Sequence, residues 1–226
     1  MCKKVVCFDL DDTLYKEIDF LKSGYKKVAE LVGKRFNLDV WSIYDQLLQW
    51  YYKGDNAFVR LNEEYGIDNP IEDYLNVYRY HLPSIVLSEE TKSILTKLKE
   101  EGTIIAIITD GREITQRQKI EALGLSEWVN NDFIFINEAK EYFKPNHWSF
   151  DWMMMHCYEQ FPDSKLSFYY VGDNTDKDFI APNELGWTSV CLLDNGKNIH
   201  KQDFSAEKIK LPKKSIRYFS ELIDII

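Results

Sequence analysis

The chain has 226 residues, 45% of them apolar and 15% aromatic, which suits one large or two small packed domains and excludes a disordered chain. Its 28 basic residues against 37 acidic ones leave a net charge of −9 with no basic run, so a nucleic-acid partner is not expected. No apolar run approaches membrane-spanning length and only a four-residue apolar run, Val5 to Phe8, precedes Asp9, so neither a membrane span nor a secretory signal is expected, and a cytoplasmic location is.

The first element is a strand, Val5 to Phe8, apolar on both faces as a strand buried between two layers must be. At its carboxyl end stand Asp9, Asp11 and Asp12, with Thr13 behind them. The period then changes. Leu21, Tyr25, Val28 and Val32 recur at three and four, as do Val40, Ile43, Leu47 and Tyr51, then Phe58, Leu61 and Tyr65, then Ile71, Tyr74 and Tyr78. This pattern predicts four amphipathic helices punctuated at Asn37, at Gly54 to Asn56 and at Gly66 to Pro70. It places an all-α helical bundle, residues 16–85, as an insert in a core made of residues 1–15 and 86–226. Aromatic residues are dense in the insert. Most are expected to pack between helices, leaving one or two, among Trp41, Trp50, Tyr52 and Tyr80, to meet a substrate. Lys53, Arg60 and Arg79 are candidates for a second anionic group or plain solvated charges.

From Ser88 onward helices and strands alternate. A helix opens at Ser88 and stops at Gly102; Ile104 to Ile108 is a second apolar strand, ending at Thr109-Asp110-Gly111. A helix from Glu113 to Leu123, a weak strand from Phe133 to Ile136, and Phe143-Lys144-Pro145-Asn146 follow, with Asn146 a plausible cap for a helix over 147–159. Proline holds Lys144 extended, in a loop at the sheet's edge. Leu166 to Val171 is a fourth strand, running into Gly172-Asp173 and on to Asp178; Thr188 to Leu193 is a fifth. Residues 194–212 are polar and weakly patterned, and Ile216 to Ile225 reads as a short docking helix. Cys2, Cys7, Cys157 and Cys191 show no C-x-x-C spacing and His81, His147, His156 and His200 no H-x-x-x-H spacing, so free thiols are expected and a zinc site is not.

Strands separated by helices imply right-handed crossovers and a parallel three-layer α/β sheet, whose ligands bind beyond the carboxyl ends of the strands. All the polar stretches fall there, and the insert leaves the sheet at that edge, where it is expected to act as a lid. Asp9, Asp11, Asp12, Asp173, Asp176 and Asp178 gather against one well-placed lysine, Lys144. Such like charges destabilise one another unless a cation joins them, and hard carboxylate oxygens suit Mg²⁺ bridged to a phosphate. Thr109, the backbone amides near Leu10–Asp11 and Asp110–Gly111, and Lys144 can then hold phosphate oxygens. Asp9, first after the strand, is the natural nucleophile, and Asp11 can protonate the leaving oxygen and later activate water.

These residues resemble the haloacid dehalogenase superfamily of phosphohydrolases, whose signature is Asp-x-Asp-x-Thr, a strand-end Thr or Ser, a Lys, and Gly-Asp with a further acid downstream. Here the match is Asp9/Asp11/Thr13, Thr109, Lys144, and Gly172-Asp173 with Asp178, in order over residues 5–193. The resemblance implies a Rossmann-like core with a helical cap, Asp9 as nucleophile, Asp11 as acid and base, and Thr109 and Lys144 as phosphate ligands. It also implies Mg²⁺ held by Asp9, Asp173 and the carbonyl of Asp11, with Asp178 in support. The third motif, Lys144-Pro145-Asn146-His147, lacks the second proline common among relatives. The expected activity is Mg²⁺-dependent hydrolysis of a small phosphorylated metabolite, such as a sugar phosphate, nucleotide or phosphoacid, through an aspartyl-phosphate, with no nucleic-acid, membrane or obligate protein partner. A phosphomutase shares every residue named. A dehalogenase has no use for Asp11 or Asp173. A receiver-like phospho-acceptor module is about half this length, and a catalytically silent scaffold is the remaining alternative.

Overall fold

The computed structural model describes residues 2–226. The chain opens with β1 (Cys2–Phe8) and continues through α1 (Glu17–Phe36), α2 (Val40–Lys53), α3 (Ala57–Tyr65) and α4 (Ile71–Tyr80). It then alternates α5 (Glu89–Glu100), β2 (Ile104–Asp110), α6 (Glu113–Ala122), β3 (Ile134–Asn137), α7 (Trp148–Gln160), β4 (Lys165–Gly172), α8 (Ile180–Glu184), β5 (Thr188–Leu192) and β6 (Lys214–Ile216). Two compact units result, Met1–Glu17 with Val86–Ile226, and Ile18–Ile85.

The first unit is a six-stranded parallel sheet in the order β3-β2-β1-β4-β5-β6. Val5 pairs with Ile104 on one side and Phe168 on the other, so β1 is central and Val5 to Phe8 are fully buried. One face of the sheet packs Val5, Cys7, Ala106 and Ile108 against Phe150 and Met153 of α7. On the other, Phe8 stacks on Phe219 with ring centroids 5.7 Å apart. Successive strands step away from β1 in opposite directions, towards β3 and towards β6, so the ends of β1, β2 and β4 open a crevice at the point where the order reverses.

The sixth strand is a departure from the sequence reading. Only three residues long, with two exposed, β6 carries too little pattern to register as a strand. The tail forms a 3₁₀ turn, Phe219–Asp224, where a helix is expected; Glu221 accepts the N–H groups of Arg217 (3.2 Å) and Tyr218 (2.9 Å) and fixes its start.

The second unit is helical. Tyr25, Val28, Leu47, Phe58, Leu61 and Tyr74 form its core, and Asp39 and Asn56 cap α2 and α3 through the N–H groups of Trp41 (3.1 Å) and Val59 (3.3 Å). Trp50 is 7% exposed and belongs to the packing; Trp41 (59%), Tyr52 (65%) and Tyr80 (49%) are open. Arg60 pairs with Glu63 (2.7 Å) and Arg79 with Glu72 (3.1 Å), as surface charges do. All four cysteines are free, and among the described residues no helix is long and apolar enough to cross a membrane.

Candidate active site

Asp9 leaves β1 still tied to the sheet, its N–H donating to the carbonyl of Val171 at 2.9 Å. Its carboxylate is buried and meets Lys144 Nζ at 2.6 Å. The same ammonium lies 2.8 Å from Oδ1 of Asp178 and donates to the Tyr170 hydroxyl at 2.8 Å. Lys144 is thus enclosed rather than set in an open edge loop: its N–H donates to Asp110 Oδ1 (3.1 Å), which draws the segment before α7 onto the end of β2. Asp178 Oδ2 accepts the N–H groups of Asp173 (3.1 Å) and Asn174 (2.8 Å), folding the loop after β4 around its own carboxylate.

Oxygens of Asp9, Asp173 and Asp178 lie within 4.8 Å of one another. Burial, only partly offset by Lys144 and reinforced by Asp178, pushes the Asp9 carboxyl up to about 7. Burial and the charges of Asp178, Asp9 and Asp12 push Asp173 further, to about 9. Lys144 serves two of the three acids; Asp173 has a single neutral donor, Asn198 Nδ2, at 2.8 Å. Three hard oxygens with an uncompensated charge fit a divalent cation such as Mg²⁺.

Asp11 stands apart from this trio. Its carboxylate receives Lys119 Nζ on both oxygens (2.7 and 2.9 Å), Gln116 Nε2 on Oδ2 (3.0 Å) and the Tyr15 hydroxyl on Oδ1. Burial raises its pKa, but the Lys119 charge and these hydrogen bonds outweigh that and hold it below the usual carboxylate range. Only the backbone carbonyl of Asp11 is left as the metal ligand expected of it. Asp12, at φ 55°, serves the backbone instead, accepting N–H groups from Glu17 (3.0 Å) and Ile199 (2.8 Å).

At the end of β2, Thr109 Oγ1 accepts Gln116 Nε2 at 2.7 Å, which leaves the hydroxyl hydrogen able to reach an anion. Asp110 is held by Lys177 Nζ (2.8 Å) and Asn137 Nδ2 (2.9 Å). Burial notwithstanding, the charges of Lys144 and Lys177 and these hydrogen bonds lower its pKa. Its carboxylate organises lysines rather than phosphate. The expectation that the Gly111 amide cradles phosphate is corrected: that N–H donates to the Asn137 carbonyl at 2.9 Å, extending the β2–β3 ladder by one residue. Gly111 sits at φ +144°, with Gln116 3.3 Å from where a β-carbon would stand, so glycine here admits Gln116 to the site.

The crevice, about 100 Å³, is lined by Asp9, Asp11, Asp12, Glu17, Thr109, Asp110, Asp173, Asn174, Lys177 and His200. Asp176 is exposed and lies outside it. Sequence reasoning saw one lysine; the structure brings three, Lys119, Lys144 and Lys177. It also missed the 194–203 loop. There Asp194 Oδ1 accepts the N–H groups of Gly196, Lys197 and Asn198, and Gln202 Nε2 donates to the Asp173 carbonyl (2.8 Å), so the loop is strapped to the residue that carries one of the three clustered carboxylates.

Over 99% of its length the chain is 26% identical to a glyceraldehyde 3-phosphate phosphatase of Methanocaldococcus jannaschii, covering 96% of that protein. Over 83% it is 27% identical to the Pyrococcus furiosus protein of the same name, covering 79% of it. Among solved structures, YfnB of Bacillus subtilis, in a form bound to magnesium, superposes with a TM-score of 0.62 at 17% identity, spanning 100% of this chain and 99% of that one. The family profile of haloacid dehalogenase-like hydrolases matches residues 6–192, from within β1 to the end of β5, and the chain belongs to that family.

Proposed function

We propose that this hydrolase is a Mg²⁺-dependent phosphomonoesterase acting on a small phosphorylated metabolite through an aspartyl-phosphate on Asp9. The observation that carries this reading is Lys144, buried and shared between Asp9 and Asp178 with Asp173 alongside. A lysine there meets a phosphate's charge as it arrives and, together with the cation, favours the ionised form of Asp9 that attacks. A cation bound by Asp9, Asp173 and the Asp11 carbonyl, with Asp178 in support, would neutralise phosphate charge and polarise the phosphorus centre. In the first step an Asp9 oxygen bonds to phosphorus and the ester oxygen leaves with its electron pair; where the leaving group is a poor one it takes a proton from the fraction of Asp11 that carries one, a fraction kept small by Lys119. In the second, water attacks phosphorus, gives its proton to Asp11, and the Asp9 oxygen–phosphorus bond breaks to release inorganic phosphate. Thr109 and Lys144 orient the phosphate through both steps. The helical unit is the family's cap and supplies substrate selection. Glyceraldehyde 3-phosphate, named for both archaeal relatives, heads the substrate panel.

The test is phosphate release from that aldehyde phosphate, sugar phosphates, nucleotides and phosphoacids, with Mg²⁺ and with excess chelator. Hydrolysis of at least one class, abolished by chelator and by Asp9→Asn, is expected. Hydrolysis that persists in chelator removes the metal, and a rearranged phosphate ester in place of free phosphate makes the enzyme a mutase.

A further inference from the structure

Gln116 and Lys119 stand three residues apart on α6 and so share a face; both are buried, at 2% and 4% exposure. Lys119 gives its ammonium to both oxygens of Asp11, while Gln116 divides one amide among Asp11 Oδ2, Thr109 Oγ1 and the Asp110 carbonyl (3.2 Å). An ion pair enclosed to this degree contributes little net stability, because desolvating a lysine costs about what the attraction returns. Nor does Lys119 reach the carboxylate trio, whose ammonium is Lys144. What the contact does is fix direction. Asp11 stands just before the turn at residues 12–14 and shares its crevice with Asp12 and Glu17, two acids that repel its carboxylate, whereas Lys119 draws it to one side.

We propose that Lys119 is the positioning residue of Asp11: it clamps the carboxylate in the direction from which a proton is taken from the attacking water, with Gln116 tying that direction to Thr109. This rests on the reading of Asp11 as the base of the second step. With nitrophenyl phosphate the first step forms the Asp9 oxygen–phosphorus bond and expels nitrophenolate with its electron pair, needing no proton. The second step transfers one proton from water to Asp11 as the Asp9 oxygen–phosphorus bond breaks. A positioning lysine is therefore felt in the second step alone.

Rapid-mixing kinetics with nitrophenyl phosphate and Mg²⁺ separate the steps in Lys119→Met, Asp11→Asn and the double variant. Lys119→Met should keep a burst of about one nitrophenolate per site and turn over about tenfold or more slowly, a fraction of what a general base supplies. Adding it to Asp11→Asn should cost less than about twofold, since the residue it acts through is already gone. Burst and turnover falling together in Lys119→Met while Asp11→Asn keeps its burst would overturn the proposal and spare the role of Asp11, as would unchanged turnover. Loss of the burst in Asp11→Asn would sink the reading of Asp11 itself. If the methionine variant fails to fold because Asp11 is left unpaired, the double variant carries no stranded charge, and its comparison with Asp11→Asn decides: a further loss of more than about twofold overturns the proposal, and a smaller one supports it.

Discussion

Gly172 and Asp178 lay claim to the same space: a β-carbon on Gly172 would stand 2.5 Å from Oδ2 of Asp178. The glycine at the end of β4 is therefore required by close approach, and the carboxylate fills the room that hydrogen leaves to receive two backbone N–H groups. Gly172→Ala must push Asp178 off Lys144 or bend the strand end. A stability loss of about 1–3 kcal/mol and a fall in Mg²⁺ affinity are expected, measurable by denaturation and by metal titration of activity. An alanine variant with unchanged metal affinity would mean that Asp178 has no part in holding the cation.

Lys144→Ala should damage folding as well as catalysis. Removing an ammonium that touches two buried carboxylates leaves both uncompensated, a change on the order of 3–5 kcal/mol. The rate should fall by about a hundredfold or more, since a donor to the phosphate is lost. Mg²⁺ should return part of the stability and little of the rate; thermal melts with and without the cation, beside kcat, check both.

The acids make the effect of pH on the cation-free protein specific. Folded Asp9 and Asp173 hold their protons up to about 7 and about 9, against the ordinary 3.8 that applies unfolded. Stability from these groups is full below about pH 4 and is lost as pH rises through those values; Glu17, raised to about 8 by burial and by Asp11, adds to the decline. Asp11 and Asp110, whose pKa values are lowered, lose their contribution only as pH falls into the acid range. Between about pH 6 and 9, Tm without cation should fall, and the rise in Tm on adding Mg²⁺ should grow. A Mg²⁺ shift independent of pH would place the ion away from these carboxylates.

In the helical unit, Trp50→Ala should cost about 3–5 kcal/mol by opening a cavity, whereas Trp41→Ala and Tyr80→Ala, at exposed positions, should leave Tm within a degree or two. If the unit selects the substrate, at least one variant among Trp41, Tyr52 and Tyr80 changes relative rates across the panel. Uniform changes for all substrates would reduce these rings to packing or solvent-exposed surface.

What the sequence disclosed follows from how each signal is written. Asp9, Thr109, Lys144 and Asp173 each sit at the end of an apolar strand or beside a proline, where a polar residue stands out against its neighbours. Gln116 and Lys119 sit in Thr115-Gln116-Arg117-Gln118-Lys119, a run that reads as a solvated helix face, because nothing in a helical period says that a lysine points inward. Asn198 and Gln202 belong to a loop with no period, and their partners are 25 and 29 residues away. Tyr170 reads as one more apolar strand residue, while its hydroxyl is a ligand of the central lysine. Local pattern reveals elements and their ends; long-range polar pairing leaves no periodic trace.

The central place of β1 bears on how the molecule is made. The strand that carries Asp9 leaves the ribosome well before its partners, Ile104 to Ile107 and, later still, Lys165 to Val171. The helical unit is one continuous segment whose contacts are local, so it can fold while the nucleophile strand waits unpaired. No nascent chain is an enzyme until Asp178 has emerged, and apolar Val5 to Phe8 must be shielded during that interval, which makes β1 the strand of this sheet that waits longest for its partners and is most exposed to aggregation.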